Sequence, residues 1–493
     1  MKVLFIYPEF PDTYWSFRHA LAFEGKRSAF PPLGLLTISA MLPENWEKRL
    51  VDMNIEPLAE TDLDWADIVF LSAMLVQKDS LLDVIKKCKG RGKRVVVGGP
   101  FVSTAREDLA ADHIFIGEAE HTLPEFLRDF ELGIPQKIYR VAEKPDLTAT
   151  PVPDFKLAKL DRYSAMSVQY SRGCPFQCEF CDIIEIYGRV PRTKSNVRML
   201  AELDALYAAG WRGMVFIVDD NFIGNKRNVR KFLPELVEWS KRSGFPFSFI
   251  TEASVNLAED DRLLEMMREA GFRRVFLGIE TPVEESLKEA NKGQNTRRDL
   301  LESVRKIQSY GMEVMAGFIV GFDNDPEDIF ERQIQFIRES AIPLAMVGLL
   351  TALPDTQLWR RLEKEGRLLQ ESSGNNTDCS LNFIPKMDAP RLIEGYKQIL
   401  RTIYGSREYY ERALNCLGRI VQDAPAPRRA GLTGEAASLV RVVLKLGIID
   451  GERLEFWRFM RRAVTEHRSY LAQAVTLAAM GYHFRRLTED YCQ

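Results

Sequence analysis

The sequence predicts an α/β protein made of two successive sets of parallel strands and a helical C-terminal domain. Over the first 135 residues, short β-branched apolar segments alternate with helix-length amphipathic segments. After a linker the alternation restarts and produces six strand–helix units, and beyond about residue 385 only helical periodicity remains. We therefore expect a doubly wound α/β domain over 1–138, a linker over 139–163, a (β/α)6 partial barrel over 164–384 and a helical domain over 385–493.

Four segments of the first domain are predicted to be buried parallel strands, because they are apolar, β-branched and bounded by turn residues. They are VLFIY at 3–7, DIVFLSAM at 67–74, RVVVGG at 94–99 and HIFIG at 113–117. A doubly wound sheet binds its ligand beyond the carboxyl ends of the strands, which is where a ligand site is expected here.

The linker contains Pro145, Pro151 and Pro153 and has no clear period. The six strands predicted after it are SAMSVQYS, GMVFIVDD, FSFITEAS, RVFLGIET, VMAGFIVGF and AMVGLLTAL. Active sites of α/β barrels lie at the carboxyl ends of the strands. A cysteine-rich loop directly follows the first of these strands, so we expect that loop at the mouth of the barrel.

Composition narrows the class of protein. The 493 residues carry a formal net charge of −3, without the basic excess that nucleic-acid binding requires. Seven cysteines are too few for a disulfide scaffold in a chain of this length. The N-terminus, MKVLFIYPEF, lacks the pattern of a signal peptide, and no apolar run is long enough to span a membrane. A cytoplasmic protein with reduced thiols is the expectation.

Three of the cysteines, Cys174, Cys178 and Cys181, form the spacing C-x3-C-x2-C in SRGCPFQCEFC. Three thiolates on one short loop leave the fourth position of a metal site open, whereas structural zinc takes four protein ligands. A [4Fe–4S] cluster with three protein thiolates keeps one iron free for a substrate or cofactor. Zinc completed by a distant Cys379, Cys416 or Cys492 is the alternative.

This motif, with Phe180 before its last cysteine and a barrel strand in front of it, resembles the signature of radical S-adenosylmethionine (SAM) enzymes. In that family the open iron binds the amine and carboxylate of SAM, and an electron from an external donor such as flavodoxin or ferredoxin yields a 5′-deoxyadenosyl radical. The resemblance implies SAM-binding residues at strand ends. They are Phe180, Asp219, Asp220, Asn221, Glu252, Ser254, Glu280 and Gly321, with Gly317 beside the last.

The first domain resembles the cobalamin-binding domain that precedes some radical SAM barrels. The resemblance implies cobalamin contacts at Pro32, Leu33, Met53, Asn54, Ser72, Met74, Gly98, Gly99, Gly117 and Glu118. A Rossmann-type nucleotide site is the alternative, but no G-x-G-x-x-G follows the first strand. The D-x-H-x-x-G motif that supplies a cobalt-ligating histidine is missing, so His19 is interpreted as a loop histidine and the cobalt as lacking a protein histidine.

Segments up to about residue 415, among them VFIVDDNFIGN and LLTALPDTQLWRRLEKEGRL, resemble the subgroup that contains the hopanoid C-2 methylase. The resemblance implies methylation of an unactivated carbon. One SAM methylates cob(I)alamin and leaves S-adenosylhomocysteine, a second SAM generates the radical, and the substrate radical takes the methyl group. A hydrophobic, lipid-like or hopanoid-like substrate is favoured. The alternatives are a peptide side chain, a tetrapyrrole, or a cobalamin-dependent rearrangement or cyclisation without methyl transfer.

Two other classes of protein fit the sequence less well. A methylthiotransferase acting on transfer RNA needs a second three-cysteine cluster upstream, where the chain has only Cys88, and a corrinoid carrier needs the missing histidine motif. The C-terminal segment 461–486 is an apolar helix flanked by arginines, which fits either a core helix or peripheral membrane contact.

Overall fold

The structure, a computed structural model, describes residues 1–104, 109–375, 377–420 and 432–492. Its first six strands form one parallel sheet in the order β2-β1-β3-β4-β5-β6. They are β1 (Lys2–Tyr7), β2 (Glu47–Asp52), β3 (Ile68–Ser72), β4 (Arg94–Gly98), β5 (His113–Ile116) and β6 (Ile138–Arg140). The helices around this sheet are α1 (Arg18–Glu24), α2 (Leu33–Met41), α3 (Glu60–Trp65), α4 (Lys78–Gly90), α5 (Pro100–Thr104) and α6 (Ala119–Glu131).

The four strands predicted in this region are confirmed, and two more strands were not predicted. The first half of β2 is polar and only Val51 and Asp52 are buried, so it lacks the apolar run of a central strand. The other unpredicted strand, β6, has three residues and exposes Ile138 and Arg140. Both are edge strands of the sheet, where one neighbour suffices and the apolar pattern is weak.

The second large sheet is parallel and keeps sequence order from β7 to β14, with these two strands at its edges. The strands of this region are β7 (Ala165–Val168), β8 (Ser171–Arg172), β9 (Arg192–Thr193), β10 (Gly213–Ile217), β11 (Phe247–Ala253), β12 (Phe272–Glu280), β13 (Glu313–Val320) and β14 (Ala345–Leu349). Only β8 and β9 lie outside the sheet, as an antiparallel pair of their own. The predicted six-stranded partial barrel is confirmed.

Eight α-helices accompany the described part of the barrel. They are α7 (Ile183–Ile186), α8 (Asn196–Ala208), α9 (Lys226–Arg242), α10 (Asp261–Ala270), α11 (Glu284–Glu289), α12 (Leu300–Ser309), α13 (Ile329–Ser340) and α14 (Gln357–Lys364).

The C-terminal region is helical, as predicted, although its residues 421–431 and 493 lie outside the described residues. It contains α15 (Ala389–Ile403), α16 (Ser406–Arg419), α17 (Leu432–Val442), a π-helical segment (Val443–Ile449), α18 (Arg453–Glu466) and α19 (Leu471–Tyr491). Leu477, Ala478 and Phe484 of α19 are buried. The core interpretation of the apolar helix in 461–486 is therefore confirmed for α19. No helix in the described ranges is long and apolar enough to cross a membrane.

The linker packs tightly instead of running free between the two sheets. Tyr163 is fully buried, and its hydroxyl donates to the carboxylate of Asp52 at the end of β2, over 2.8 Å. The ring of Tyr14, which precedes α1, stacks on Phe484 of α19 with centroids 4.6 Å apart. These contacts join the first sheet, the barrel and the C-terminal helices. The residue boundaries of the domains stay a prediction.

Candidate functional site

The cysteine loop lies at the mouth of the barrel, between the short strands β8 and β9, which pair Arg172 with Arg192. Gly173, directly before the first cysteine, has φ +95°, and a Cβ there would lie 2.8 Å from the carbonyl oxygen of Gly188. Only glycine fits this closure of the loop. The Gly173 N–H donates to the carboxylate of Asp220 over 2.8 Å, which ties the loop to the end of β10.

The three motif cysteines are free thiols, with Cys178 buried and the other two partly buried. The side-chain amide of Asn221 lies 3.9 Å from the sulfur of Cys174, and that of Gln294 lies 3.5 Å from the sulfur of Cys178. Burial raises the pKa of Cys174 and Cys181, so a bound cation is needed to hold them as thiolates. Three soft donors on one loop, with amide donors at two sulfurs, fit an iron–sulfur cluster.

Zinc completed by Cys379 or Cys416 finds no support. The Cys379 thiol donates to the Tyr491 carbonyl in the C-terminal region, and Cys416 packs beside Ala341 and Ile420. Among the described residues, no group of three His, Cys, Asp or Glu side chains is arranged to hold a single metal ion.

Five of the predicted SAM-binding residues lie together at the ends of β10 and β11. Asp219 accepts hydrogen bonds from the Tyr170 N–H at 2.7 Å and the Ser171 hydroxyl at 2.6 Å, so its carboxylate holds the segment in front of the cysteine loop. The amide of Asn221 donates to the Ser254 hydroxyl over 3.2 Å. Asp220 and Glu252 line a cavity beside the loop.

The remaining predicted SAM-binding residues lie in two other places. Glu280 has φ +65° and pairs with Lys292 at 2.5 Å, and the ammonium lies 5.9 Å from the centre of the Phe180 ring. The sequence reasoning missed Lys292 because no motif marks it; Gln294, two residues on, was missed for the same reason.

The other two residues lie along β13 and just after it. A Cβ on Gly321 would meet Leu392 of α15 at 3.1 Å, and one on Gly317 would meet the Phe276 ring at 3.2 Å. Their SAM contacts, like those of the other residues, stay predictions.

A cavity of about 1960 Å³ lies between the first sheet, the barrel mouth and the C-terminal helices. Ligand pockets usually enclose about 300–1000 Å³, so there is room for more than one ligand. The cavity is lined by all the residues predicted to bind cobalamin except Met53, which packs against the core of the first domain. They are Pro32, Leu33, Asn54, Ser72, Met74, Gly98, Gly99, Gly117 and Glu118.

Two glycines shape the edge of the cavity at the ends of β4 and β5. A Cβ on Gly99 would lie 2.5 Å from the Ser72 hydroxyl oxygen, and Gly117 has φ +87° with no atom within 4 Å of a Cβ, so that a side chain there would enter the cavity. The absence of side chains lets a ligand approach the backbone. The residues fit cobalamin, whose corrin needs a broad site and whose tail needs such access.

Glu118 joins the first domain to the barrel through ion pairs that the sequence did not reveal. Its carboxylate, 3% exposed, pairs with Arg172 at 2.7 Å and with Arg192 at 2.7 Å. Arg172 also pairs with Glu120 at 2.8 Å. Both oxygens of Glu118 are thus used by arginines of the strands that flank the cysteine loop, and its predicted contact with cobalamin stays a prediction.

His19 lies in helix α1, which corrects its interpretation as a loop residue. Its ring lines the cavity and lies 5.6 Å from the ring of His483 and 6.3 Å from that of Tyr482, centre to centre. The helix has only seven residues, so its apolar periodicity is too short to mark it clearly in the sequence.

Fold and site together define a class: an α/β domain and a half-barrel with a three-cysteine loop share one large cavity, as in cobalamin-binding radical SAM enzymes. Family models agree. Residues 27–127 match a B12 binding domain, residues 168–337 match the radical SAM superfamily and residues 356–493 match a domain of unknown function.

Two curated relatives are similar over nearly their full length. The chain is 44% identical to an uncharacterized methyltransferase of Synechocystis, over 99% of the chain and 92% of the relative. It is 36% identical to the hopanoid C-2 methylase of Rhodopseudomonas palustris, over 94% and 89%. The chain belongs to the cobalamin-dependent radical SAM methyltransferases, and its cofactors are a [4Fe–4S] cluster, SAM and cobalamin.

Solved structures share the fold. The cobalamin-dependent SAM radical enzyme OxsB superposes with a TM-score of 0.63 at 17% identity, covering 99% of this chain and 80% of OxsB. The methyltransferase TsrM of Kitasatospora setae superposes with a TM-score of 0.62 at 13% identity, covering 100% of both chains.

Replacing Cys174, Cys178 and Cys181 together by alanine should abolish bound iron and the visible absorbance of the cluster, because too few thiolates remain to hold it. Cobalamin should still bind, since its predicted contacts lie in the first domain. Iron analysis and absorbance spectra of the reconstituted protein would show this. Cys379→Ala, which removes a thiol that bonds to the Tyr491 carbonyl, should keep full iron content. A triple variant that retains a [4Fe–4S] spectrum would contradict the ligand assignment.

Glu252→Gln should change how stability depends on pH. Burial, with the neighbouring carboxylates of Asp220 and Asp219, raises the pKa of Glu252 to about 8. Because this pKa exceeds the unfolded value, the wild type loses stability as the pH rises to about 8, and the glutamine variant does not. At high pH the variant should gain about 1–3 kcal/mol of unfolding free energy, and at low pH almost nothing. The gain at high pH is moderate because the carboxyl faces an accessible cavity, where water screens its charge.

Urea unfolding of the wild type and the variant without cofactors, at a pH near 4.5 and at a pH above about 8, would measure the difference in stability. Glu265→Gln, which removes an exposed carboxylate of α10, is the matched control and should show no pH-dependent gain. Equal gains for Glu252→Gln at low and high pH would refute the raised pKa.

The cobalt of the bound cofactor should lack a histidine ligand from the protein. The electron paramagnetic resonance spectrum of the cob(II)alamin form should show no nitrogen splitting from a protein imidazole, and His19→Ala should leave it unchanged. A spectrum altered by this single substitution would establish His19 as a ligand.

Proposed function

We propose that the protein methylates an unactivated carbon of a hydrophobic, polycyclic lipid of the hopanoid type. The observation that carries this proposal is the aromatic wall of the large cavity beside the cysteine loop. Trp15 lies 5.2 Å from Phe276 and Phe30 lies 5.2 Å from Phe216, centre to centre, at the boundary between the first domain and the barrel. Trp15, Phe30 and Phe216 all line the cavity.

A rigid apolar ring system is suited to such a wall, because aromatic side chains bury large apolar areas without needing polar partners. An extended peptide would instead need groups that pair with its backbone amides. The charged groups of the cavity that face the barrel, such as Asp220 and Glu252, lie near the cysteine loop, where the SAM contacts are predicted.

The chain's own residues would hold the cofactors and exclude water. Cys174, Cys178 and Cys181 would bind the cluster, and the residues at the ends of β10 and β11 would orient SAM. When bound, the cluster with SAM supplies hydrogen-atom abstraction, and cobalamin supplies the methyl group. An unactivated carbon has no lone pair for a polar methyl transfer, which is why both cofactors are needed. An external one-electron carrier would supply the reductant.

The relatives support this substrate class. The 36% identity to the hopanoid C-2 methylase extends over almost the whole chain. A hopanoid C-3 methylase of Methylococcus capsulatus is 26% identical over 66% of the chain. A tetrapyrrole is the second candidate, because a bacteriochlorophyllide d C-12(1)-methyltransferase of Chlorobaculum tepidum is 24% identical over 76% of the chain.

Anaerobic turnover of the reconstituted protein with SAM labelled in its methyl group tests the proposal. With a detergent-dispersed hopanoid, mass spectrometry should find one labelled methyl group on the product, and 5′-deoxyadenosine and S-adenosylhomocysteine should form in comparable amounts. The Cys174→Ala variant should form neither the methylated product nor 5′-deoxyadenosine.

A chlorophyllide and a peptide are the comparison substrates. Methylation of either one, with the hopanoid untouched, would reject the lipid proposal and keep the reaction type. Formation of only one of the two SAM-derived products at saturating substrate would reject the use of two SAM molecules per turnover. An unmethylated but altered product would indicate a rearrangement.

A further inference from the structure

The C-terminal helices expose a band of large apolar side chains on α17, the π-helical segment and α18. We call this band the apolar platform. It consists of Leu439, Val440, Leu444, Ile448, Ile449, Leu454, Trp457 and Val464, each at least 41% exposed and two of them, Ile449 and Leu454, at 69% and 67%. Single exposed apolar residues are ordinary, but a cluster of this size marks an interaction surface.

Five members of the platform follow the spacing of one side of a helix. Val440, Leu444 and Ile448 are spaced four residues apart, and Leu454 and Trp457 are spaced three apart on α18. Trp457 connects the two segments, because its indole N–H donates to the Gly447 carbonyl over 2.9 Å and its ring lies against Gly447. The platform is therefore continuous across the packed helices.

The platform reaches the mouth of the large cavity. Leu444 and Ile449 are exposed on the platform and also line the cavity, and Lys445 between them lines it too. A molecule that leaves an apolar phase at the platform would therefore enter the cavity along apolar side chains. A purely structural partner surface has no need to adjoin the cavity.

Positive charge accompanies the apolar residues. Arg453 and Arg461 of α18 are exposed, and in the described part of the chain neither pairs with a carboxylate. Helices that lie on a bilayer combine an apolar face with arginine or lysine for anionic headgroups, and tryptophan is enriched at the boundary. Charge and composition both favour a lipid surface over a second protein.

We propose that the apolar platform seats the enzyme on the surface of an anionic bilayer and opens the cavity toward the lipid phase. This inference rests on the proposed function, because a lipid substrate is what makes the connection between platform and cavity useful. The binding is peripheral, with side chains inserted at the headgroup boundary, and it does not require the cofactors.

Co-sedimentation of the full chain with sucrose-loaded vesicles tests the docking directly. The wild type should bind vesicles of phosphatidylcholine and phosphatidylglycerol and should bind phosphatidylcholine alone more weakly. The variant Ile448→Asp/Leu454→Asp should bind the anionic vesicles roughly tenfold or more weakly, because two inserted apolar side chains become charged. Neither residue lines the cavity. Arg453→Gln/Arg461→Gln should remove most of the preference for anionic vesicles.

The matched control is Ile134→Asp/Val197→Asp, which charges two apolar side chains that are 60% and 78% exposed elsewhere on the surface. It should bind vesicles like the wild type. Circular dichroism and thermal unfolding would establish that all variants fold. Equal binding by the platform variant and the wild type, or no binding by the wild type, would overturn the proposal.

Two further results separate the alternatives. A concentration-dependent dimer in sedimentation velocity that the platform variant abolishes, without vesicle binding, would replace the membrane by a second copy of the chain. With a hopanoid as substrate, the platform variant should methylate detergent-dispersed molecules at the wild-type rate and vesicle-embedded molecules much more slowly. Vesicle binding without methylation of any lipid would support docking and reject the proposed substrate.

Discussion

The ion pairs around Glu118 are the constraint on which the site depends. Arg172 and Arg192 face each other across the strands that close the cysteine loop, and both pair with the carboxylate of Glu118, which follows β5. The loop therefore has a fixed position relative to the first sheet. The group is largely buried, and removing one partner of such a pair leaves an uncompensated charge that costs about 3–5 kcal/mol. The loop predicted to hold the iron–sulfur cluster and the domain that matches a B12 binding domain are thereby joined by largely buried ion pairs.

Other contacts enclose the cavity by bringing distant parts of the chain together. Tyr163 bonds to Asp52 from the linker, and Tyr14 stacks on Phe484 of the last helix. Each of these contacts joins two different regions of the chain. The cavity is thus a product of the assembly of three regions, which explains how the helical C-terminal region, matched by a domain of unknown function, can decide what reaches the radical SAM site. The apolar platform extends this role from closing the cavity to connecting it with a lipid phase.

The acidic residues at the barrel mouth differ in role according to their position. The Asp219 carboxylate accepts hydrogen bonds from the Tyr170 N–H and the Ser171 hydroxyl, whereas Glu252 faces the cavity. Burial raises the pKa of Asp219 to about 6, and burial together with the neighbouring Asp219 carboxylate raises that of Asp220 to about 7. Closely spaced carboxyl groups in such a place favour a cationic ligand, and SAM carries positive charge at its sulfonium.

The sequence by itself determined the strands of the barrel, four strands of the first sheet and the place of the cysteine loop at the barrel mouth, because apolar periodicity and cysteine spacing are local properties. It could not reveal the edge strands β2 and β6, whose apolar signal is weak, nor Lys292 beside Glu280, which no motif marks. The last helices show most clearly what sequence periodicity cannot predict. The apolar segment of α19 is core, while Leu454 and Trp457 of the more polar α18 face outward. Periodicity defines the faces of a helix, but only packing against distant elements decides which face is covered.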